Sequence, residues 1–579
     1  MSDTTNIGEP TPDTVVIEPG RYPSPHSATT PDRGTVPLSG FPSSPSASVG
    51  LPPPPHATWH APSALAAKSK RIYEVTILDG IFALVTIIIG YLWWDWVWPH
   101  IGRSQLFLPG VGVTAFFTLA LIISVVYYRF KAVHLDTRAI AGIIVILAAA
   151  LPYAFFATTP LHLLLGPVLI GLFVVWHAYV SRTAAGAWPS AAWLIDFLNQ
   201  GFVAPVHNLG AWWAGLTRGL RDRRRLTQVV VALVGLVVGL PLIILVTALL
   251  MSADAGFQSV IDAPLRSLRQ LDVWSVVWRV ILGLPLAVFA FNLLYANAHH
   301  SGVGAITPAW AARANRAVRK LPAVGLATPM VILVLIYVVF FAAMTSYLFS
   351  GFAGHLPSGQ TYAEYARSGF FQLAAVATIN LVVVGFGYLF AARRHPTGAP
   401  AEAAPRLAYP PFLRWLSFAL SILTLLLIAT AISKMALYIG AFGLTRLRLY
   451  TLVFMIALAV VFIVIGLRHL VYFRVGPPLV SFLLAAFLAL TWLNTDRIIA
   501  DHNITEYQAG RLTSLDIGYL AYDLSSATVP ALVELSQGPD PDLASQAQAA
   551  LAGLDWSNDQ AAWPAWNLQD RRAFDLTHG

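Results

Sequence analysis

The sequence predicts an all-α integral membrane protein of about eleven transmembrane helices, with a disordered N-terminal tail and a small helical C-terminal extramembrane segment. Three observations carry that prediction. First, 57% of the 579 residues are hydrophobic and only 11% are Asp, Glu, Lys or Arg, against about 45–50% and about 25% in a soluble domain. So few charges cannot cover a water-facing surface, and with a mean hydropathy of +0.65 soluble enzymes, wholly disordered chains and fibrous repeats are excluded. Second, the apolar residues gather in runs of the ~20 that a helix needs to cross a ~30 Å hydrocarbon core. Third, the Lys and Arg between those runs concentrate on alternate loops, as membrane topology requires.

In chain order, residues 1–71 are rich in Pro, Ser and Thr, as in Ser43-Ser44-Pro45-Ser46 and Pro52-Pro53-Pro54-Pro55. Such a segment buries too little apolar surface to offset its ordering entropy, and it reads as a disordered cytoplasmic tail. It lacks the charged and apolar regions of a secretory signal, so the first apolar helix is expected to act as the anchor. Residues 72–493 form the polytopic domain, with spans near 75–95, 106–127, 139–157, 161–181, 228–250, 274–296, 324–349, 369–391, 413–437, 449–467 and 477–493. Barrel strands would be about 10 residues long and alternating, which these runs are not. Thr158-Thr159-Pro160 predicts a tight hairpin between the third and fourth spans, with Pro160 in the first turn of the latter. Gly235 and Gly239 in the fifth are read as helix packing.

Residues 188–216 do not span. Their aromatic residues, among them Trp188, Trp193, Phe197, Phe202, Trp212 and Trp213, lead into the cluster Arg218–Arg225. This predicts an interfacial amphipathic helix on the inner leaflet, with anionic membrane lipids as partner. Residues 494–579 are expected to form an acidic helical extracytoplasmic segment, broken at Gly538-Pro539-Asp540-Pro541.

With the N-terminus inside, the cytoplasmic flanks hold 22 Lys and Arg and the opposite loops hold 7. An odd number of spans then puts the C-terminus outside, where the last segment carries a net −8. The chain's net charge of +8 is a difference between two sides, and it gives no reason to expect nucleic-acid binding.

Catalytic motifs are absent: no phosphate loop, no His-Glu-x-x-His, no nucleophile elbow and no dinucleotide fingerprint. Zero Cys excludes disulfides and thiolate metal sites. The His299-His300 pair is expected to be solvated, and neither a metal nor a cofactor is expected. Polar residues inside or beside the spans are the informative ones, because an ionisable group there needs a partner or water. Arg279 is expected to snorkel outward toward Asp262, Arg269 and Asp272, and Asn292 and Asn380 to hydrogen-bond between helices.

The richest outer-face cluster comes from two loops. One holds Thr361 through Gln372, with Glu364 at capping-box spacing from Thr361, and Arg367 beyond. The other runs from Lys434 to Tyr450: Lys434 and Tyr438 share a helical face, as do Arg446 and Tyr450, and Gly440 and Gly443 are expected to make the turn. Lys434, Arg446 and Arg448 need counter-charges there, for which Glu364, Asp496, Asp501 and Asp516 are available.

The strings Thr361–Gln372, Leu444–Thr451, Asn494-Thr495-Asp496 and Leu515–Leu520 resemble a domain-of-unknown-function family of bacterial multi-pass inner-membrane proteins, over roughly residues 225–535. The resemblance implies a plasma-membrane location and a shared outer-face core, and supplies no activity. Gly440 stands where it implies an acidic residue, which weakens a carboxylate site in that loop. Three readings follow. One is a structural or signalling protein whose outer segment docks on the cations. The second is a transporter or lipid-handling protein with an anion-binding vestibule. The third is a membrane-embedded transferase with Asp496 or Glu364 as base. No nucleophile and base stand together, so an enzyme is the least supported.

Overall fold

The computed structural model describes residues 73–98, 110–157, 159–186, 192–219, 273–318, 321–352, 370–391, 410–471, 473, 475–554 and 563–578, with Gly235, Gly239 and Val246. The tail, nearly all of the span expected at 228–250, Arg221–Arg225, Asp262, Arg266, Arg269, Asp272, Glu364 and Arg367 lie outside the described residues.

Among the described residues the chain is α-helical, and the one β-type pairing is an isolated bridge between Leu321 and Ala391. The long helices are α1 (Ile77–Leu92), α2 (Val111–Phe130), α3 (Thr137–Ala150), α4 (Thr159–Val180), α5 (Val273–Ala298), α6 (Pro308–Val318), α7 (Ala323–Phe352), α8 (Phe370–Phe390), α9 (Pro411–Phe442), α10 (Arg446–Leu470), α11 (Gly476–Trp492) and α12 (Thr495–Gln508). Among the described residues α2, α4, α5, α7, α8, α9 and α10 are long and apolar enough to cross a membrane, as are α1 continued to Val97 and α3 continued to Phe155, while α11 and α12 form a pair bent by 66°, the geometry of a broken span or a re-entrant loop. This is a multi-pass membrane protein. Ten of the eleven expected spans thus have their helix among the described residues.

Two apolar cores form. The first joins α1, α2, α3, α4 and α5 around Phe82, Phe117, Tyr127, Leu165, Leu169 and Phe291. Its tightest seam is α1 against α5, where Gly90 and Gly283 meet backbone to backbone and a Cβ on either would overlap the other. That is the close approach the sequence places at Gly235 and Gly239, yet no described atom lies within 4 Å of a Cβ built on either. The second core joins α7, α8, α9 and α10 around Met330, Leu420, Ile428, Met455 and Phe462.

The C-terminal segment covers both. Its helices α13 (Val529–Ser536) and α14 (Pro541–Ala552) pack with α12 around Ile499, Leu520, Leu532 and Ala547, and reach Leu444 between α9 and α10. Residues 563–566 then cross to the first core. Trp563 lies edge-on to Trp96 with ring centroids 4.9 Å apart, and Val111 N–H donates to the Trp566 carbonyl at 2.7 Å. Gly110 and Gly112 permit this, since a Cβ on either would overlap Ala565 or Pro564. The last helix, α15 (Leu568–His578), closes the segment. On the same seam, Trp492 at the end of α11 donates from Nε1 to the Ala148 carbonyl at 2.8 Å.

Residues 192–219 form a run of short helices and π turns, here called the elbow. Its polarity is inverted relative to a helix on a soluble surface. Asp196, Asn199, Gln200 and Asn208 are buried, while Leu194, Phe202, Val206, Leu209 and Trp213 are exposed. An exposed apolar stripe over a buried amide face belongs in lipid. The elbow therefore does more than rest on the leaflet by its Trp residues, as its sequence predicts. Trp212 is buried, and its Nε1 donates to the Ala83 carbonyl at 3.1 Å, on the second turn of α1.

Candidate functional site: a buried polar core

The sequence places a long loop between α9 and α10, but the helices run almost into one another. α9 continues through Gly440 to Phe442, and only Gly443, Leu444 and Thr445 separate it from Arg446. Gly443 alone makes the turn, with φ of 72°, a left-handed value that costs any residue with a Cβ. Asn503 of α12 holds this turn in place. Its Oδ1 accepts from Leu444 N–H at 2.6 Å and its Nδ2 donates to the Leu444 carbonyl at 2.9 Å.

Arg446 starts α10, whose cap is the Thr445 hydroxyl. Its Nε and Nη2 donate to the two oxygens of Asp496 at 2.8 and 2.5 Å. Asp496 is fully buried in the first turn of α12, where a carboxylate favours the helix dipole. Its Oδ2 also accepts from Ser525 N–H at 3.0 Å, and Arg446 Nη1 donates to the Asp523 carbonyl. A fork-on-fork ion pair is thus saturated by backbone groups of the C-terminal segment, which is what a buried pair needs to offset its desolvation. Tyr519 accepts from Arg446 N–H at 2.9 Å, and burial raises its pKa, keeping the hydroxyl protonated. Tyr450 and Thr495 share a hydrogen bond at 3.2 Å beside the pair.

The other sequence candidates separate. Arg448 pairs with no described carboxylate: it donates to the carbonyls of Phe442 and Gly443 at 2.9 and 2.5 Å and sits 4.1 Å from the Tyr438 ring centroid. The carbonyl end of α9 and an aromatic face both favour a cation there. Lys434 is buried on α9, 5% exposed. Asp516 is exposed and accepts from Tyr519 N–H at 2.9 Å, and Asp501 pairs with Arg497 within α12. Of the described carboxylates offered as partners, Asp496 alone meets the cations.

Inside the spans, Arg279 pairs with Asp95 in the π turn after α1 (Trp93–Val97). The neighbours expected from the sequence lie outside the described residues, and the reason for this pairing is tertiary: antiparallel α1 and α5 bring position 95 opposite 279. Asn292 accepts from Trp212 N–H at 3.2 Å, and Asn380 links α7 to α9, accepting from Tyr337 and donating to Thr424. His299 stacks on Tyr295, with ring centroids 4.1 Å apart.

Two polar clusters escape the sequence reading. Fully buried Asp79 accepts from Thr76 N–H and hydroxyl at 2.7 and 2.8 Å, from Tyr127 at 2.8 Å and from Lys131 at 2.7 Å. The spacing of Thr76 and Asp79, that of a capping box, is the signal that could have found it. In the elbow, Asn199 bonds both backbone groups of Ile306, and Asn208 reaches the Ser301 carbonyl and hydroxyl. Ser181, Asn297, Gln200 and Thr183 close a ring of side-chain hydrogen bonds.

Three strings of the resemblance, around Arg446, Asp496 and Tyr519, therefore meet at one point. A domain of unknown function (DUF4153) matches residues 117–535. The chain belongs to that family. The DUF4153 match begins about a hundred residues before the resemblance read from motifs, taking in most of α2 and all of α3 to α5 as well as the Arg446–Asp496 core, and ends within α13. No curated protein and no solved structure matches the chain.

Proposed function

We propose that this is a structural or signalling protein of a bacterial plasma membrane, in which the outer C-terminal segment latches two transmembrane cores together. The observation that carries the reading is the Arg446–Asp496 pair, which also bonds the Ser525 N–H and the Asp523 carbonyl of that segment. An anion-binding vestibule would need guanidinium donors turned to solvent, whereas those of Arg446 and Arg448 already meet a carboxylate or carbonyls. The excess of Lys and Arg on alternate loops supports a cytoplasmic N-terminus and an extracytoplasmic C-terminus. The Arg218–Arg225 cluster, of which Arg218 is exposed beside the elbow, would then contact anionic lipid of the inner leaflet.

Removing one member of a buried ion pair strands the other, at about 3–5 kcal/mol. Arg446→Ala is expected to open residues 511–536 to protease and to hydrogen exchange while α9 and α10 stay inserted. The exchange Arg446→Asp with Asp496→Arg should restore part of the protection. Unchanged protection in Arg446→Ala would end the latch reading, and Arg446-dependent anion uptake into proteoliposomes would replace it with transport.

A further inference from the structure

Between α3 and α4 runs a shallow groove, partly open to the surroundings. Gly142, Val145 and Ile146 form one wall, and Leu172, Val175 and Trp176 the other. These side chains offer water almost no hydrogen bond, and both walls belong to membrane-crossing helices, so the medium at that depth is lipid. Gly142 shapes the groove. Without a side chain, α3 rides on the Trp176 indole, whose Nε1 donates to the Ala139 carbonyl at 2.8 Å; a Cβ at 142 would come to 2.6 Å from Trp176 Cδ1.

One end of the groove is polar. Arg138 and Tyr179 close it, on the terminal turns of α3 and α4. These turns share the side where Arg129, Lys131 and Arg182 also lie. Arg138 is exposed and makes no hydrogen bond or ion pair to a described residue. Of the carboxylates near this end, Asp136 caps α3 through Ala139 N–H at 2.9 Å, Asp79 holds Lys131, and Asp196 is buried in the elbow, where its Oδ1 accepts from Ala185 N–H at 2.7 Å.

We propose that this groove binds an anionic glycerophospholipid, with its phosphate on the Arg138 guanidinium beside Tyr179 and one acyl chain along the apolar walls. A guanidinium presents paired N–H groups that match phosphate oxygens, and the phosphate supplies the counter-charge that the protein does not. From Arg138 to Ile146 the groove follows α3 for about 12 Å, at 1.5 Å per residue, most of the ~15 Å depth of one leaflet. A lipid chain enters it without leaving an apolar medium.

The test is native mass spectrometry of the full chain released from membranes of equal phosphatidylglycerol and phosphatidylcholine. The wild type is expected to keep one phosphatidylglycerol at activation energies that strip the rest, preferred roughly tenfold, the scale of a charge-assisted contact. Arg138→Gln should abolish that preference, while Arg129→Gln, an exposed cation on the same side, should leave it. Val145→Phe fills the apolar part, keeps the cation, and should release lipid of either headgroup. Glycerol phosphate, which has no chains, should not compete. Equal retention of the two lipids by wild type, or a preference unmoved by Arg138→Gln, would overturn the proposal. A two-chain species that Val145→Phe dissociates would do so as well, by assigning the groove to a second copy.

Discussion

At the scale of single residues, each buried charge is explained by what remains available to it after the helices form. Arg446 and Arg448 stand two positions apart with the same chemistry, yet one meets a carboxylate and the other the carbonyl end of a helix. Position on α10 decides it: residue 446 faces α12, and residue 448 faces back over the turn at Gly443. Asp196 is the contrasting case. Its Oδ1 accepts from Ala185 N–H at 2.7 Å, but its buried Oδ2 has no hydrogen-bond partner, and burial pushes its carboxyl up from 3.8 to about 6. The folded state therefore holds this proton more tightly than the unfolded state. Its contribution to stability falls as pH rises from about 4 through about 6 and is constant above. In detergent, thermal unfolding of the wild type should show that decline, and Asp196→Asn should remove it; a variant that kept the same pH dependence would clear Asp196 of it. None of this was legible in the sequence, where Asp196 is one acid in an aromatic run and its place beside Ala185 and Tyr179 is set by how the elbow folds back on α4.

Helices were the most legible scale, because a period of 3.6 and a hydrocarbon core of ~30 Å leave few alternatives for an apolar run. The expected bounds lie within a few residues of the observed ones for most spans, and the exceptions have physical causes. α9 outruns its expected end because Gly440 is tolerated inside a helix whose other faces are packed, leaving Gly443 to break it. The elbow was found as a segment, but a stripe of apolar residues does not say which of its polar neighbours, here Asp196, Asn199, Gln200 and Asn208, are buried against protein. Gly235 and Gly239 satisfy a packing motif with no described atom within 4 Å of a built Cβ, while Gly90 and Gly283 make a close contact without the motif. Gly90→Ala is expected to cost about 1–3 kcal/mol, the range for overpacking where backbone must move, and to lower folded yield. Gly235→Ala should change stability by no more than about 1 kcal/mol, in the favourable direction, through helix propensity. Comparable melting temperatures for the two variants would contradict the α1–α5 contact.

At the scale of the whole molecule, two membrane cores are joined by the bent α11–α12 pair and a C-terminal segment that reaches both. That arrangement places Trp563 on Trp96 and Trp492 on Ala148, contacts across more than three hundred positions of sequence. The topology has a direct test, since the chain contains no Cys and any introduced thiol is unique. In intact cells a membrane-impermeant maleimide should label Ser545→Cys, and should label His134→Cys only after permeabilisation. The reverse pattern would invert the topology and move the Arg446–Asp496 core to the cytoplasmic side.

Composition, run length and the alternation of Lys and Arg determined by themselves that this chain crosses a membrane many times as helices, and where most of those helices stand. These are properties of a chain against its solvent, and each residue adds to them independently of its distant neighbours. Which charges pair was decided only by tertiary structure. Arg279 with Asp95, Arg446 with Asp496, and Lys131 with Asp79 are set by which helices lie antiparallel and in what register. In a low-dielectric interior a charge takes whichever partner packing brings within reach, and packing is a property of pairs of helices that no single apolar run contains.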